Sequence, residues 1–198
     1  MIATPQHFKR LEIKQVIDKI LGDSKTLLKP VSIKVHESFD SQHTMTEFSF
    51  ESSGVVISEK QEGRGFVDGL FSGLHNHFCK EYSSLEKIKL ADFSVNPIMS
   101  KSKNSMGTDA QASVTLSVNV APHGIAEFQH KSRSVIYSSF HSALDAFQFY
   151  VNCDRAFHKI QVFLRDARKR NRGDVASQYV YDLTKLTEVN TYDEKEKN

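Results

Sequence analysis

The chain carries the same pattern twice. Gly63-Arg64-Gly65-Phe66-Val67 opens an apolar, helix-like stretch, and 69 residues on Ser132-Arg133-Ser134-Val135-Ile136 opens another. At that offset Arg64 falls on Arg133, Phe71 on Phe140 and Phe78 on Phe147, and each helix follows three strand-like runs. A duplicated unit of this kind implies two similar halves packed together, with a pocket or a dimer seam where their helix starts converge.

The periodicities define the unit. Val31 to His36 and Thr46 to Phe50 alternate with period two, and Ser53-Gly54 turns a hairpin into Val55-Val56-Ile57. Phe66, Val67, Leu70, Phe71, Leu74 and Phe78 then form a one-sided stripe at helical spacing, so one face of that helix must cover the sheet. The second unit repeats the order, with strands over 87–95, 110–120 and 125–130 and a helix carrying Val135, Ile136, Phe140, Ala143, Leu144 and Phe147. Phe8, Leu11, Val16, Ile17, Ile20 and Leu21 predict an N-terminal amphipathic helix closed by Gly22. Beyond Val151 the helical pattern continues or restarts through Phe157, Ile160, Phe163, Leu164 and Ala167. The Ser/Lys/Asn-rich segment between Asn96 and Thr108 is expected to be a mobile surface loop, and the polar stretch from Thr191 to Asn198 a disordered tail. The fold class is therefore α+β. Residues 1–27 form the helix, 28–152 the duplicated βββα domain (28–82 and 86–152) with antiparallel sheets covered by helices, and 153–198 a helical extension and tail.

Charge and composition remove several classes of function. With 26 Lys+Arg against 24 Asp+Glu the net charge is only +2, so no global field argues for nucleic acid or an anionic membrane. No stretch approaches the ~18 apolar residues that span a bilayer, and the start has no signal-peptide pattern, so a soluble cytoplasmic protein is expected. Cys79 and Cys153 are not in a C-x-x-C pair and read as free thiols. His75 and His77 are two apart, which on a helix points them away from each other, whereas helical ligand pairs need a spacing of three or four. No metal site, cofactor or catalytic constellation is expected, and no G-x-S-x-G elbow is present.

The strongest local signal is the turn Glu62-Gly63-Arg64-Gly65 leading into a helix whose first turn includes Asp68. Glycines there permit positive φ and close approach of a ligand, and the free N–H groups of a helix start bind carboxylate or phosphate. A small anionic ligand is the physical implication.

The same residues, Gly63-Arg64-Gly65-Phe66-Val67-Asp68-Gly69, with Leu90-Ala91-Asp92-Phe93-Ser94-Val95, Thr108-Asp109-Ala110-Gln111-Ala112 and Ser138-Ser139 with Ala143, resemble the C-terminal allosteric domain of 2-isopropylmalate and citramalate synthases. The resemblance covers roughly residues 28 to 152. It implies two βββα units, a homodimer, and leucine or isoleucine bound near the glycine turn to inhibit a separate catalytic barrel. On this chain the ligand-binding residues it implies are Gly63, Arg64, Gly65, Val67, Asp68, Leu70 and Phe93. Phe66 stands where the family prefers proline, Gly69 where it prefers alanine, Phe93 where tyrosine is usual, and Ser132 and Ser134 where the second unit has glycines. Only about 30 residues precede the resemblance, too few for the barrel, so the expectation is a non-catalytic regulatory or dimerisation module whose catalytic synthase subunit, if any, is another polypeptide.

A second reading rests on Arg165, Arg168, Lys169, Arg170 and Arg172, flanked by Phe163 and Tyr179: a nucleic-acid-binding segment over 165–172. The blander interpretation, a solvated basic helix end complementing the helix dipole, weighs against it. A third is a ligand-free scaffold for a partner enzyme.

Overall fold

The computed structural model describes residues 5–40, 42–98 and 111–192. Helix α1 (Pro5–Leu21) ends in a short 3-10 turn and leads into β1 (Leu28–Ser38), β2 (His43–Ser52), β3 (Val55–Gly63) and α2 (Phe66–Cys79). A second 3-10 turn, Ser83–Lys87, joins this unit to β4 (Ile88–Pro97), β5 (Ala112–Val120), β6 (Gly124–Ser132) and α3 (Val135–Lys169), after which α4 (Gly173–Thr187) folds back. Each unit is a three-stranded antiparallel meander, β1-β2-β3 and β4-β5-β6, with its helix on one face. The α+β class and the duplicated βββα order are thus both present. Among the described residues no helix is long and apolar enough to cross a membrane.

The register shows how closely the copies correspond. Ile33 pairs with Phe48 and Phe93 with Leu116, and each first strand shifts register at the matching place, between Pro30 and Ser32 and between Leu90 and Asp92. The conserved geometry includes the same β-bulge, which increases twist and bends the strand over its helix. The copies differ at the hairpin: Ser53 and Gly54, both at positive φ, make a two-residue turn, whereas Ala121 to His123 make a three-residue one. The loop expected between Asn96 and Thr108 falls largely on residues 99–110, outside those described.

A continuous core lies between the helices and the inner faces of both sheets. Phe48 and Phe50 from β2 and Val114, Leu116 and Val118 from β5 point inward and are almost fully buried. The repeat-related phenylalanines meet at the middle: Phe147 packs on Phe71 at 5.1 Å and on Phe78 at 5.7 Å between ring centroids, and Phe140 meets Phe48 edge-on at 5.7 Å. These contacts cross between units, so each unit closes the other's core.

Two boundaries expected from the sequence need correction. Residue 152 lies inside α3, a single helix of 35 residues, and Cys153, Ala156, Phe157 and Ile160 belong to the same core. The polar tail is not loose at its beginning: Tyr192 is buried and stacks on Phe157 with centroids 4.3 Å apart; residues 193–198 lie outside those described. Apolar residues at helical spacing through 157–167 bury against α1 and α4, and this tertiary contact carries the helix past its own sheet. Polar side chains of α3 also hold the start of β1. Asn152 accepts from the Thr26 N–H and donates to its carbonyl, both at 2.8 Å, and Gln148 accepts from the Leu28 N–H at 2.7 Å.

Both thiols are free. Burial pushes Cys79 up to about 11 and Cys153 higher still. A thiol raised by about two units carries roughly a hundredfold less thiolate near neutral pH, and thiolate is the reactive form. Native protein is therefore expected to react with a disulfide reagent at least tenfold more slowly than protein in urea, with two thiols titrating after unfolding; rapid labelling of one thiol before unfolding would show that Cys79 is more open than its surroundings imply.

Candidate functional site

The seam between the units forms where α2 begins and β4 passes. Phe66, the first residue of α2, meets Phe93 of β4 edge-on with centroids 6.3 Å apart, and both rings are half-buried. Val67 packs partly against the core, and Asp68 and Arg64 are exposed beside the rings. The structure thus brings Phe93 of the second unit to the glycine turn of the first. Leu70 is fully buried, facing the core and not the seam.

The two glycines serve different purposes, and neither uses positive φ. Gly65 caps the helix at φ −168, ψ 167, extended backbone open to any residue, and a Cβ built there meets nothing within 4 Å. At Gly63 a Cβ would stand 2.6 Å from the Gly69 nitrogen and 2.9 Å from its Cα. Gly63 is therefore glycine because β3 and the first turn of α2 touch backbone to backbone, which corrects the expectation that both glycines serve a left-handed, ligand-cradling turn.

The helix start is also partly occupied by its own side chain. Asp68 Oδ2 accepts from the Arg64 N–H at 3.1 Å, and the Gly69 N–H bonds to the Gly65 carbonyl at 3.0 Å. The amides of Phe66, Val67 and Asp68, in the first turn, have no intrahelical acceptor by geometry. At the second start the serines cap more completely. Ser134 Oγ accepts from the Tyr137 N–H at 3.2 Å, while Ser132 Oγ donates to the Ser134 carbonyl at 2.8 Å and bonds Ser138 Oγ at 2.7 Å. The second start thus has one first-turn amide capped by a side chain, where the first has none.

The adjacent histidines turn apart as their spacing requires: His77 Nδ1 lies 2.8 Å from Glu59 and His75 Nε2 3.4 Å from the Cys79 sulfur. The basic segment lies at the α3–α4 turn, where Phe163 and Tyr179 do meet, at 5.7 Å. Arg170 pairs with Asp166 at 3.1 Å and Arg172 with Asp174 at 3.7 Å, so Arg165, Arg168 and Lys169 are the cations of this run without a counter-ion among the described residues.

One polar cleft had no place in the sequence reading. A cavity of about 360 Å³ opens between α1, the 25–27 linker, β6 and α3, lined by Arg10, Lys14, Phe128, Asp145 and Gln148 among others. The Arg10 guanidinium lies 4.9 Å over the Phe128 ring and donates to the Glu127 carbonyl on the free edge of β6. Burial lowers its pKa, and burial raises that of Asp145 against the pull of His141, Lys14, His130 and Arg10. His141 stacks on His130 at 4.4 Å and is lowered, first by burial and then by that neighbour's charge. The signals existed: Arg10 with Lys14 and His141 with Asp145 are each four apart on a helix, hence on one face. Only the fold puts the two pairs opposite each other, two cations facing one carboxylate and its neighbouring histidine, with Asp18 already paired to Lys25 at 2.5 Å.

No protein-family model and no curated protein matches this chain.

Proposed function

We propose that this protein is a non-catalytic regulatory and dimerisation module, similar in design to the allosteric domain of 2-isopropylmalate synthases, which holds one branched-chain amino acid at the seam between its units. The observation that supports this reading is the Phe66–Phe93 contact at an open helix start with the exposed Asp68 beside it. Leucine or isoleucine would set its side chain against Phe66, Phe93 and Val67, its ammonium against the Asp68 carboxylate, and its carboxylate against the free first-turn amides and Arg64. Binding at a contact shared by both units would stiffen one unit against the other, which a homodimer would pass to a synthase subunit. The basic-segment alternative is the weaker one, because two of its five cations are neutralised by their own helices.

Isothermal titration with leucine and isoleucine is expected to give saturable heat at one site per chain. Gly65→Val is the decisive variant: its backbone is extended and its surroundings open, so the fold should hold while the branched side chain fills the helix mouth and weakens binding by at least about tenfold. Silence across all twenty amino acids would refute the sensing role and leave the ligand-free scaffold.

A further inference from the structure

An open cleft of about 700 Å³ lies between the C-terminal end of α1, the turn after α2 and the outer face of α3. Its volume is that of a small-molecule site. Arg155, Lys159 and Arg165 line it from α3 together with His158, and Tyr82 faces them from the turn after α2. Positions 155, 158, 159, 162 and 165 recur at helical spacing, so one face of α3 delivers all three cations to the same wall.

Cations outnumber acids in the cleft, with Arg155, Lys159 and Arg165 against the carboxylates of Asp154 and Glu81. Asp154, buried in the floor, accepts from Ser84 Oγ at 2.5 Å and lies 3.6 Å from His158 Nε2. Glu81 accepts from the Tyr82 hydroxyl, and burial together with that bond pushes Tyr82 up to about 12, so it remains a donor at neutral pH. The cations are not so matched: among the described residues none of Arg155, Lys159 and Arg165 forms an ion pair. Arg155 donates to Thr26 Oγ1, which fixes the guanidinium and leaves most of its donors free, and the Lys159 ammonium lies 5.8 Å from the Phe163 ring.

We propose that this cleft is a second ligand site, built for a small polyanion of the phosphate-bearing metabolite class, with Arg155 as the oriented fork and Lys159 and Arg165 as mobile charges. Guanidinium donors match phosphate oxygens in pairs, and an ammonium follows them as a point charge. A small ligand fits better than a nucleic-acid strand. The three cations converge in a cleft closed on two sides by α1 and Tyr82, while Arg168 and Lys169, which a strand would also need, are not among its lining residues. None of the cleft residues belongs to the seam, so this site stands or falls independently of amino-acid binding there.

The test is calorimetric titration of the full chain with inorganic pyrophosphate and, separately, orthophosphate. Pyrophosphate should bind saturably, and Lys159→Gln and Arg165→Gln should each weaken it by at least about tenfold while melting with the parent protein, since neither side chain hydrogen-bonds another group among the described residues. The double variant Arg168→Gln/Lys169→Gln, outside the cleft, should bind as the parent does. The proposal is overturned if neither anion gives heat, if the outside variant weakens binding as much as the cleft variants, or if a single-stranded oligonucleotide binds more tightly than pyrophosphate and depends on Arg168 and Lys169.

Discussion

Truncating Phe147 to alanine is expected to lower the free energy of unfolding by about 3–5 kcal/mol, the range for removing a buried aromatic ring. Its ring is 1% exposed and stands between Phe71 and Phe78 of the other unit, so the cavity left behind would open at the joint between the two helices. Phe78 cannot collapse into it without parting from Phe50, which ties it to the first sheet. Urea unfolding followed by circular dichroism and by aromatic fluorescence should show one coincident transition in the parent protein, and a lower midpoint with the same coincidence in the variant. Two separate transitions in the parent, or an unchanged midpoint in Phe147→Ala, would mean that the units fold on independent cores.

The second large effect is a contrast between two glycines separated by one residue. Gly63→Ala places a methyl group 2.6 Å from a backbone nitrogen of α2, and backbone cannot rotate away as a side chain tip would; helix and strand must separate, at about 1–3 kcal/mol. Gly65→Ala enters open space on an extended backbone, and the freedom it removes from the unfolded chain is offset by alanine's poorer N-cap, so it should change stability by less than about 0.5 kcal/mol. Melting curves of the two single variants decide the matter, and equal losses at both positions would refute the close strand-to-helix contact.

Those two glycines also mark where the sequence stops being readable. Gly63 and Gly65 look alike in one dimension, because each is a small residue beside Arg64 ahead of an apolar stripe. What separates them is the distance to Gly69 on the next element, a tertiary quantity. The strands and the α2 stripe were legible because burial imposes periods of two and 3.6 on the residue order, and Phe48, Phe50, Leu70 and Leu74 face inward as those periods require. The repeat was visible for the same reason, though at a single offset only the third strand and helix align: the longer turn at Ala121 to His123 moves β5 by one residue, and the longer β4–β5 connection moves β4 further.

Sites were harder to read than elements. Phe93 reaches the glycine turn through a sheet that its own unit builds, so no spacing in the chain announces the Phe66 contact. Separation along the chain hides the grouping of the α3 cleft cations. Adjacency in sequence places Arg165 with Arg168 to Arg172, whereas the fold groups it with Lys159 and Arg155, about two and three turns back along the helix, and with Tyr82 from a distant turn. Periodicity assigns a residue to a face, but what stands across from that face depends on how α1 and α2 are docked.

The exchange of phenylalanines across the middle of the molecule has a bearing on descent. A solitary βββα unit of about 55 residues would leave the Phe71 and Phe78 side of its helix wet, and so small a chain has little other core to compensate. An identical neighbour supplies the missing wall, which makes a self-associating half-length ancestor the natural starting point. Fusing two genes of that kind turns a concentration-dependent encounter into an intramolecular one. In a fused chain the copies need not match, and here they do not: one helix start carries glycines and the other serines, and α3 runs to 35 residues against 14 in α2.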